Sequence, residues 1–242
     1  MYESAKFLIA GDRALCVELG DEISPSIHHR VRSLSMSIER RMIEGITEVI
    51  PTYRSILVCY DPMLINPSEL EMQIRALENK LTEELPNAPR VVEVPVVYGG
   101  VFGPDIEHVA SNCGISAEDV TRIHSGADYL IYMMGFTIGF AYLYGMSNDI
   151  ATPRLNVPRV AVPAGSVGIA ETQTGLYSTE SPGGWQLIGR TPLKLFDAQL
   201  DPPVIVGTGD HVKFIRITEG EYWDIQRQIQ LNNYTINSKL VR

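Results

Sequence analysis

The sequence predicts two domains, an α+β domain of the ferredoxin-like type followed by an all-β barrel. The first 98 residues read as strand, helix, two strands, helix and strand, which is the split βαβ order of ferredoxin-like folds. Residues 127–218 instead contain short apolar runs separated by glycine and proline. That pattern is typical of a closed or nearly closed β-barrel.

Hydrophobic periodicity defines the elements of the first domain. The runs KFLIA and ALCVEL flank Gly11 and Asp12, which predicts a hairpin. A helix follows, because Ser24 can cap it and apolar residues between 27 and 42 recur at spacings of 4, 3, 4 and 4. A second helix of similar spacing begins near Pro67. Further strands are predicted over residues 46–50, 55–60 and 91–98.

The predicted boundaries are residues 1–90 for the ferredoxin-like domain, 91–126 for a connector and 127–242 for the barrel domain. The connector carries two short helices, the second of which has Ser116 and Asp119 at capping-box spacing. The barrel begins at YLIYMM, and residues 219–231 predict a helix after it. The chain therefore combines one mixed domain with one β domain.

Charge and cysteine content exclude several classes of function. The net charge is −9, and residues 91–120 hold five acidic and no basic groups, so these helices cannot neutralise a nucleic-acid backbone. No apolar run is long enough to span a membrane. The three cysteines are far apart without C-x-x-C spacing, which favours reduced thiols and no metal site. We expect a cytoplasmic protein without a secretory leader.

The stretch from 154 to 190 contains the strongest candidates for a binding site. Its only cations are Arg154, Arg159 and Arg190. Guanidinium groups bind carboxylates and phosphates through paired hydrogen bonds, so the three could form an anion clamp. Alternatively, each makes an ordinary surface ion pair that contributes little.

Other residues admit both a functional and a structural interpretation. His124 lies at the end of a predicted helix, where it either serves as a general acid or base or contacts substrate, or else carries partial charge that interacts favourably with the helix dipole. Gln173, Tyr177 and Trp185 either line a pocket or belong to the barrel core. Gly135 and Gly139 either form an anion-binding backbone nest or let two strands approach.

Ser166 lies in AGSVG, which is close to the G-x-S-x-G motif of serine hydrolases. Asp197 or Asp201 and then His211 follow in the chain order of a triad. The motif requires a helix after the serine, whereas a β-branched run follows here. This argues against a serine hydrolase.

Three long strings of the sequence resemble a known family. HSGADYLIYMMGFTIGFAYLYGM, TPRLNVPRVAVPAGSVGIAETQTGLYS and SPGGWQLIGRTPLKLFD are similar to KipI, to allophanate hydrolase subunit 1 and to the B subunit of 5-oxoprolinase, which form the carboxyltransferase domain family of subdomains C and D. YGGVFGPDIEHVA in the connector also fits. The resemblance implies a ferredoxin-like first domain and a cyclophilin-like barrel.

The resemblance implies a subunit of a bacterial ATP-dependent 5-oxoprolinase, which converts 5-oxo-L-proline to L-glutamate and is inactive alone. The implied partners are the larger, KipA-like barrel protein that forms the C subunit of 5-oxoprolinase, and a metal-binding subunit. ATP is the implied cofactor of the complex. Two alternatives stay open. The chain could inhibit a sporulation histidine kinase as KipI does, or act as a carboxyltransferase subunit of the allophanate hydrolase or urea carboxylase type.

Residues in the matching strings provide the site prediction. We expect His124, Arg159 and Gln173 to be catalytic, and no residue to bind a metal. Three positions depart from the family pattern: Ile138, where proline is usual, Glu171, where glycine is usual, and Ser178, where proline is frequent. The residues expected to bind substrate or a partner are Gly139, Arg154, Pro163, Tyr177, Trp185 and Arg190.

Overall fold

A computed structural model describes residues 1–81 and 89–240. The chain divides into two compact units, Met1–Asn87 and Ala88–Arg242. No helix in the described ranges combines the length and apolar character needed to cross a bilayer.

The first unit is a four-stranded antiparallel sheet with two helices. Across the sheet its strands are β1 (Lys6–Ile9), β2 (Ala14–Glu18), β4 (Ser55–Tyr60) and β3 (Ile46–Pro51), in that order. Ser24 caps the first helix by accepting a hydrogen bond from the Ile27 N–H at 3.4 Å, and Ile27, Val31, Leu34 and Ile38 are buried along one stripe, which confirms the predicted helix. This first helix is α1 (Pro25–Arg41), and the second is α2 (Pro67–Glu78).

The ferredoxin-like prediction for this unit is not confirmed, because its last strand lies elsewhere. The ferredoxin-like order predicts residues 91–98 as its last strand, but among the described residues the sheet of this unit contains no such strand, and β1 pairs with β2 through the hairpin with register Lys6 to Glu18. The run VVEVPVVY is almost entirely apolar, as is usual for a strand buried on both faces, and it joins the sheet of the second unit. In this sheet β2 therefore pairs with its hairpin partner β1 and not with the strand formed by residues 91–98.

The second unit is built on a mixed β-barrel. Its elements are β5 (Arg90–Tyr98), α3 (Ile106–Cys113), α4 (Ala117–Ser125), β6 (Asp128–Met134), β7 (Ala141–Tyr144), β8 (Arg159–Val162), β9 (Ser166–Ala170), β10 (Gln173–Leu176), β11 (Ser181–Gly183), β12 (Gln186–Arg190), β13 (His211–Arg216), α5 (Glu219–Gln230) and β14 (Ser238–Leu240). Neighbouring strands follow the order β12-β9-β10-β7-β6-β13-β5, and β5 pairs with β12 to close the barrel. This arrangement is consistent with a cyclophilin-like barrel.

The barrel depends on β5, which the sequence predicts as the last strand of the ferredoxin-like order. β5 runs parallel to β13 and antiparallel to β12. Apolar side chains from every barrel strand fill the interior, among them Val94, Ile131, Val167 and Phe214. β8 and β11 form a separate two-stranded ribbon. This ribbon and the start of β12 position the candidate site.

Gly103 allows the segment before α3 to lie close to the backbone of β12. A Cβ atom at this position would lie 2.0 Å from the carbonyl oxygen of Ile188, which is backbone and cannot rotate away. The glycine therefore permits a contact that any side chain would break.

We predict that Gly103→Ala lowers the free energy of unfolding of the second unit by about 1–3 kcal/mol, the range of overpacking substitutions. Urea unfolding followed by tryptophan fluorescence measures this, since Trp185 and Trp223 are the two tryptophans and both lie in this unit. Gly207→Ala is the matched control, because its new Cβ would come no closer than 3.8 Å to Asp210. Equal midpoints for the two variants would contradict the prediction.

Candidate functional site

The second unit contains a cavity with aromatic walls and a volume of about 260 Å³. Its lining comes from the loop between β6 and β7, from β7 itself, from the residue after β10, from the loop before β8, and from β11 with the link to β12. The lining consists of five aromatic residues, one cation and four proline or glycine residues: Phe136, Phe140, Tyr142, Tyr177, Trp185, Arg154, Pro158, Pro182, Gly183 and Gly184.

Phe140 is the centre of the aromatic wall. Its ring lies edge-on to Tyr142, Tyr177 and Trp185, with centroid separations of 4.7, 4.8 and 5.4 Å. Such edge-to-face pairs add to the stabilisation that burial provides. Gly175 makes the packing possible, because a Cβ there would lie 2.8 Å from Phe140 and 3.0 Å from the Trp185 ring. The wall is therefore rigid and preformed.

Arg154 supplies the only formal charge in the lining. Its Cζ lies 5.7 Å from the centre of the Trp185 ring, a cation–π contact, and the residue is exposed. Burial raises the pKa of Tyr142, and it raises that of Tyr177 to about 12. Both phenols are therefore neutral hydrogen-bonding groups at physiological pH. The cavity combines flat apolar faces with one cation.

Arg159 lies outside the cavity in an ion pair with Asp105. Its Nη2 donates to the two carboxylate oxygens at 2.6 and 2.8 Å, and its Nη1 donates to the Trp185 carbonyl at 3.2 Å. The pair is largely withdrawn from solvent. Arg159 therefore holds the structure around Trp185, and its position does not support the predicted catalytic role.

Arg190 belongs to a different part of the surface. Its Cζ lies 5.9 Å from the centre of the Phe102 ring, beside a small cluster that contains Val97 and Tyr222. It does not line the cavity. Of the three arginines in the predicted clamp, only Arg154 is in the cavity lining, while Arg159 pairs with Asp105 and Arg190 lies near Phe102.

His124 is fully buried in the barrel interior. Nδ1 lies 2.8 Å from the Tyr98 hydroxyl and Nε2 lies 2.9 Å from Thr174 Oγ1. Thr174 donates its proton to the Gly168 carbonyl at 3.0 Å, so we assign the Nε2–H tautomer, in which Tyr98 donates to Nδ1. Burial lowers the pKa of His124 to about 3. The imidazole is neutral and inaccessible, which corrects both the catalytic and the helix-dipole predictions.

Three other predicted residues, Gln173, Pro163 and Gly139, are not in the cavity lining. Gln173 opens β10 and donates through Nε2 to the Tyr132 hydroxyl. Pro163 accepts a hydrogen bond from the Ser166 N–H at 3.2 Å in the turn between β8 and β9. Gly139, with φ +72°, lies in the loop that carries Phe136, and a Cβ there would crowd Ser178 and Val204. Tyr177 and Trp185 are the predicted binding residues, besides Arg154, that do line the cavity.

The loop between β6 and β7 is a compact turn. The N–H groups of Gly135, Thr137 and Phe140 all bind backbone carbonyls within it. These donors are therefore unavailable to a bound anion, which disfavours the nest hypothesis. Ser166 has no exposed surface and begins strand β9, so it is not a nucleophile on a strand-to-helix turn.

Sequence reasoning missed Phe136, Phe140 and Tyr142 as site residues. The aromatic residues in and beside the Gly135 to Gly139 segment could have indicated them, but the sequence prediction for this segment rests on its glycines alone. Glu171, where the family has glycine, adopts φ +52°, in the left-handed region that glycine favours. It makes no ion pair with Arg154 or Arg159 among the described contacts.

We predict that protonation of His124 destabilises the second unit in acid. His124 binds a proton near pH 6.5 in the unfolded state but only near pH 3 in the folded state. The free energy of unfolding therefore falls as the pH decreases from 6.5 to 3. Between pH 7 and 5 the wild type should lose about 2 kcal/mol through this residue. His124→Gln, less stable at pH 7, should lack this loss.

Urea unfolding at both pH values, read by tryptophan fluorescence, tests this expectation. The difference in stability between wild type and His124→Gln should narrow by about 2 kcal/mol at pH 5. His108→Gln, at an exposed position on α3, serves as the matched control. A difference that stays constant with pH would show that His124 is not held neutral.

Comparison with known proteins places the chain in one family. Residues 5–206 match the family described as carboxyltransferase domain, subdomain C and D. The chain is 44% identical over 223 residues to the B subunit of 5-oxoprolinase from Bacillus subtilis, covering 88% of this chain and 92% of that protein. It is 38% identical over 223 residues to the protein of the same name in Escherichia coli O157:H7, covering 90% and 99%.

A solved structure shows the same fold at lower identity. The urea amidolyase of Kluyveromyces lactis matches with a TM-score of 0.81 at 23% identity, covering 98% of this chain and 16% of that one. The barrel, the full-length similarity and the family match agree. The chain belongs to the family of 5-oxoprolinase B subunits, within the carboxyltransferase domain family of subdomains C and D.

Proposed function

We propose that this chain is the B subunit of an ATP-dependent 5-oxoprolinase that opens 5-oxo-L-proline to L-glutamate. The observation that carries this proposal is identity near 40% over almost the full length of two proteins bearing that name. The partners we propose are a larger subunit of related barrel fold and a metal-binding subunit. ATP is the cofactor of the complex as a whole.

The lining of the cavity supports a binding role and argues against catalysis by this chain alone. A lactam is stable, so ring opening needs activation of its carbonyl, for example by phosphoryl transfer. The lining contains no carboxylate, histidine, cysteine, serine or lysine that could act as a base or nucleophile. We therefore assign this subunit the task of holding the ring, while the partner subunits supply the reacting groups.

The surface around the cavity supports a partner subunit. Two loops that line the cavity, and the strand β8 that follows one of them, also expose apolar side chains to solvent. These are Phe136, Ile138, Val157 and Val160, with exposed fractions of 63, 66, 80 and 90%. Several large apolar groups beside one cavity are typical of an interaction site. We call these four residues the cavity rim and propose that it is covered by the larger subunit.

A carboxyltransferase subunit is the second candidate function. The family match and the fold shared with urea amidolyase favour it. On this alternative, the complex would process urea-derived or allophanate substrates instead of 5-oxoproline. Inhibition of a histidine kinase stays a prediction from the resemblance.

Reconstitution with purified partners tests the proposed function. We expect ATP hydrolysis and glutamate formation that depend on 5-oxo-L-proline only when this chain and both partner subunits are present, and no turnover by this chain alone. Coupled measurement of ADP and glutamate follows both products. A verified complex that hydrolyses ATP with urea or allophanate but not with 5-oxo-L-proline would favour the carboxyltransferase alternative.

A further inference from the structure

Arg154 differs from most arginines of the second unit in having no carboxylate partner among the described residues. Arg90, Arg122, Arg159, Arg216 and Arg227 each form an ion pair. In a chain of net charge −9, acidic partners are plentiful. An unpaired guanidinium at a preformed cavity therefore favours an anion that comes from outside the chain.

The walls restrict the shape of the ligand. Trp185 and Phe140 are buried and edge-packed, so they cannot swing away to admit a bulky group. A volume of about 260 Å³ lies below the roughly 300–1,000 Å³ of sites for drug-sized ligands. Flat aromatic faces in a small space suit a single ring.

The polar groups restrict its charge. No acidic residue lines the cavity, and Arg154 would repel a cation. Tyr142 and Tyr177 keep their protons because burial raises the pKa of both phenols. The ligand that fits is small, cyclic and singly anionic, with neutral polar atoms on its ring.

We propose that this cavity binds a small cyclic amide that carries one carboxylate, the chemical class of 5-oxo-L-proline. The carboxylate pairs with Arg154 and the ring lies against the aromatic wall of Phe140, Tyr142 and Trp185. This inference rests on the proposed function for the identity of the substrate. The cavity, the unpaired cation and the neutral lining argue for the ligand class independently.

Binding to the full chain is the first test. In a Trp223→Phe background, Trp185 is the single tryptophan, and its fluorescence reports on the cavity wall. We expect 5-oxo-L-proline to bind and Arg154→Gln to weaken binding about 10-fold to 100-fold, the loss for a charge-assisted hydrogen bond. 2-Pyrrolidinone, which has the ring without the carboxylate, should bind weakly and equally to both proteins. The matched control is Arg122→Gln, since Arg122 is an exposed arginine on α4 paired with Asp119.

The reconstituted complex provides the second test and separates the two proposals. If the cavity holds the substrate, Arg154→Gln should raise the KM for 5-oxo-L-proline at least tenfold, while Arg122→Gln leaves it unchanged. An active complex whose KM does not respond to Arg154→Gln overturns the cavity inference and leaves the proposed function standing. An inactive wild-type complex, with ring binding to the chain that depends on Arg154, overturns the proposed function and leaves the cavity inference standing.

Two further results would overturn the cavity inference. One is equal binding of 5-oxo-L-proline to the wild type and Arg154→Gln. The other is a loss of 2-pyrrolidinone affinity in Arg154→Gln as large as the loss for 5-oxo-L-proline, because the arginine would then act on the wall and not on the carboxylate. Circular dichroism establishes that each variant is folded.

Discussion

The Asp105 carboxylate joins the elements that build the aromatic cavity. It accepts two hydrogen bonds from Arg159 in the ribbon and one from the Leu187 N–H in β12, at distances of 2.6 to 2.8 Å. Arg159 also donates to the Trp185 carbonyl. Charge-assisted hydrogen bonds of this kind are stronger than neutral ones, and loss of either partner leaves a largely buried charge unpaired. These contacts hold the ribbon beside Trp185 and so maintain one wall of the cavity.

A polar network inside the barrel adjoins the same aromatic wall. Tyr98 donates a hydrogen bond to His124, and His124 donates one to Thr174. The Thr174 hydroxyl in turn donates to the Gly168 carbonyl. Buried polar groups that are fully paired favour one arrangement of a core over its alternatives. The next residue along β10 is Gly175, which contacts both Phe140 and Trp185. The interior network and the aromatic wall therefore both contact β10. The network residues help to position the wall although none of them lines the cavity.

On the proposed function, the chemistry of the cavity implies that this chain and its partner subunits perform different steps. Aromatic faces, neutral phenols and one cation can bind and orient an anionic ring, but they cannot transfer a proton at neutral pH or attack a carbonyl. An enzyme that opens a stable amide needs both a site that orients the substrate and groups that transfer protons or attack the carbonyl. On the proposed function, this chain contributes recognition, and the rim residues bring the cavity against the subunit that contributes the chemistry.

Sequence alone determined the helices, the hairpin and the β character of the second unit, because periodicity and turn residues act over a few neighbours. It also identified Arg154, Tyr177 and Trp185 as binding candidates. Tertiary structure decided where residues 91–98 pair, since an apolar strand fits any sheet that buries both its faces. It also decided that Arg159 meets Asp105, that Arg190 lies apart and that His124 is buried and neutral. These outcomes depend on contacts between residues far apart in the chain, which local patterns do not encode.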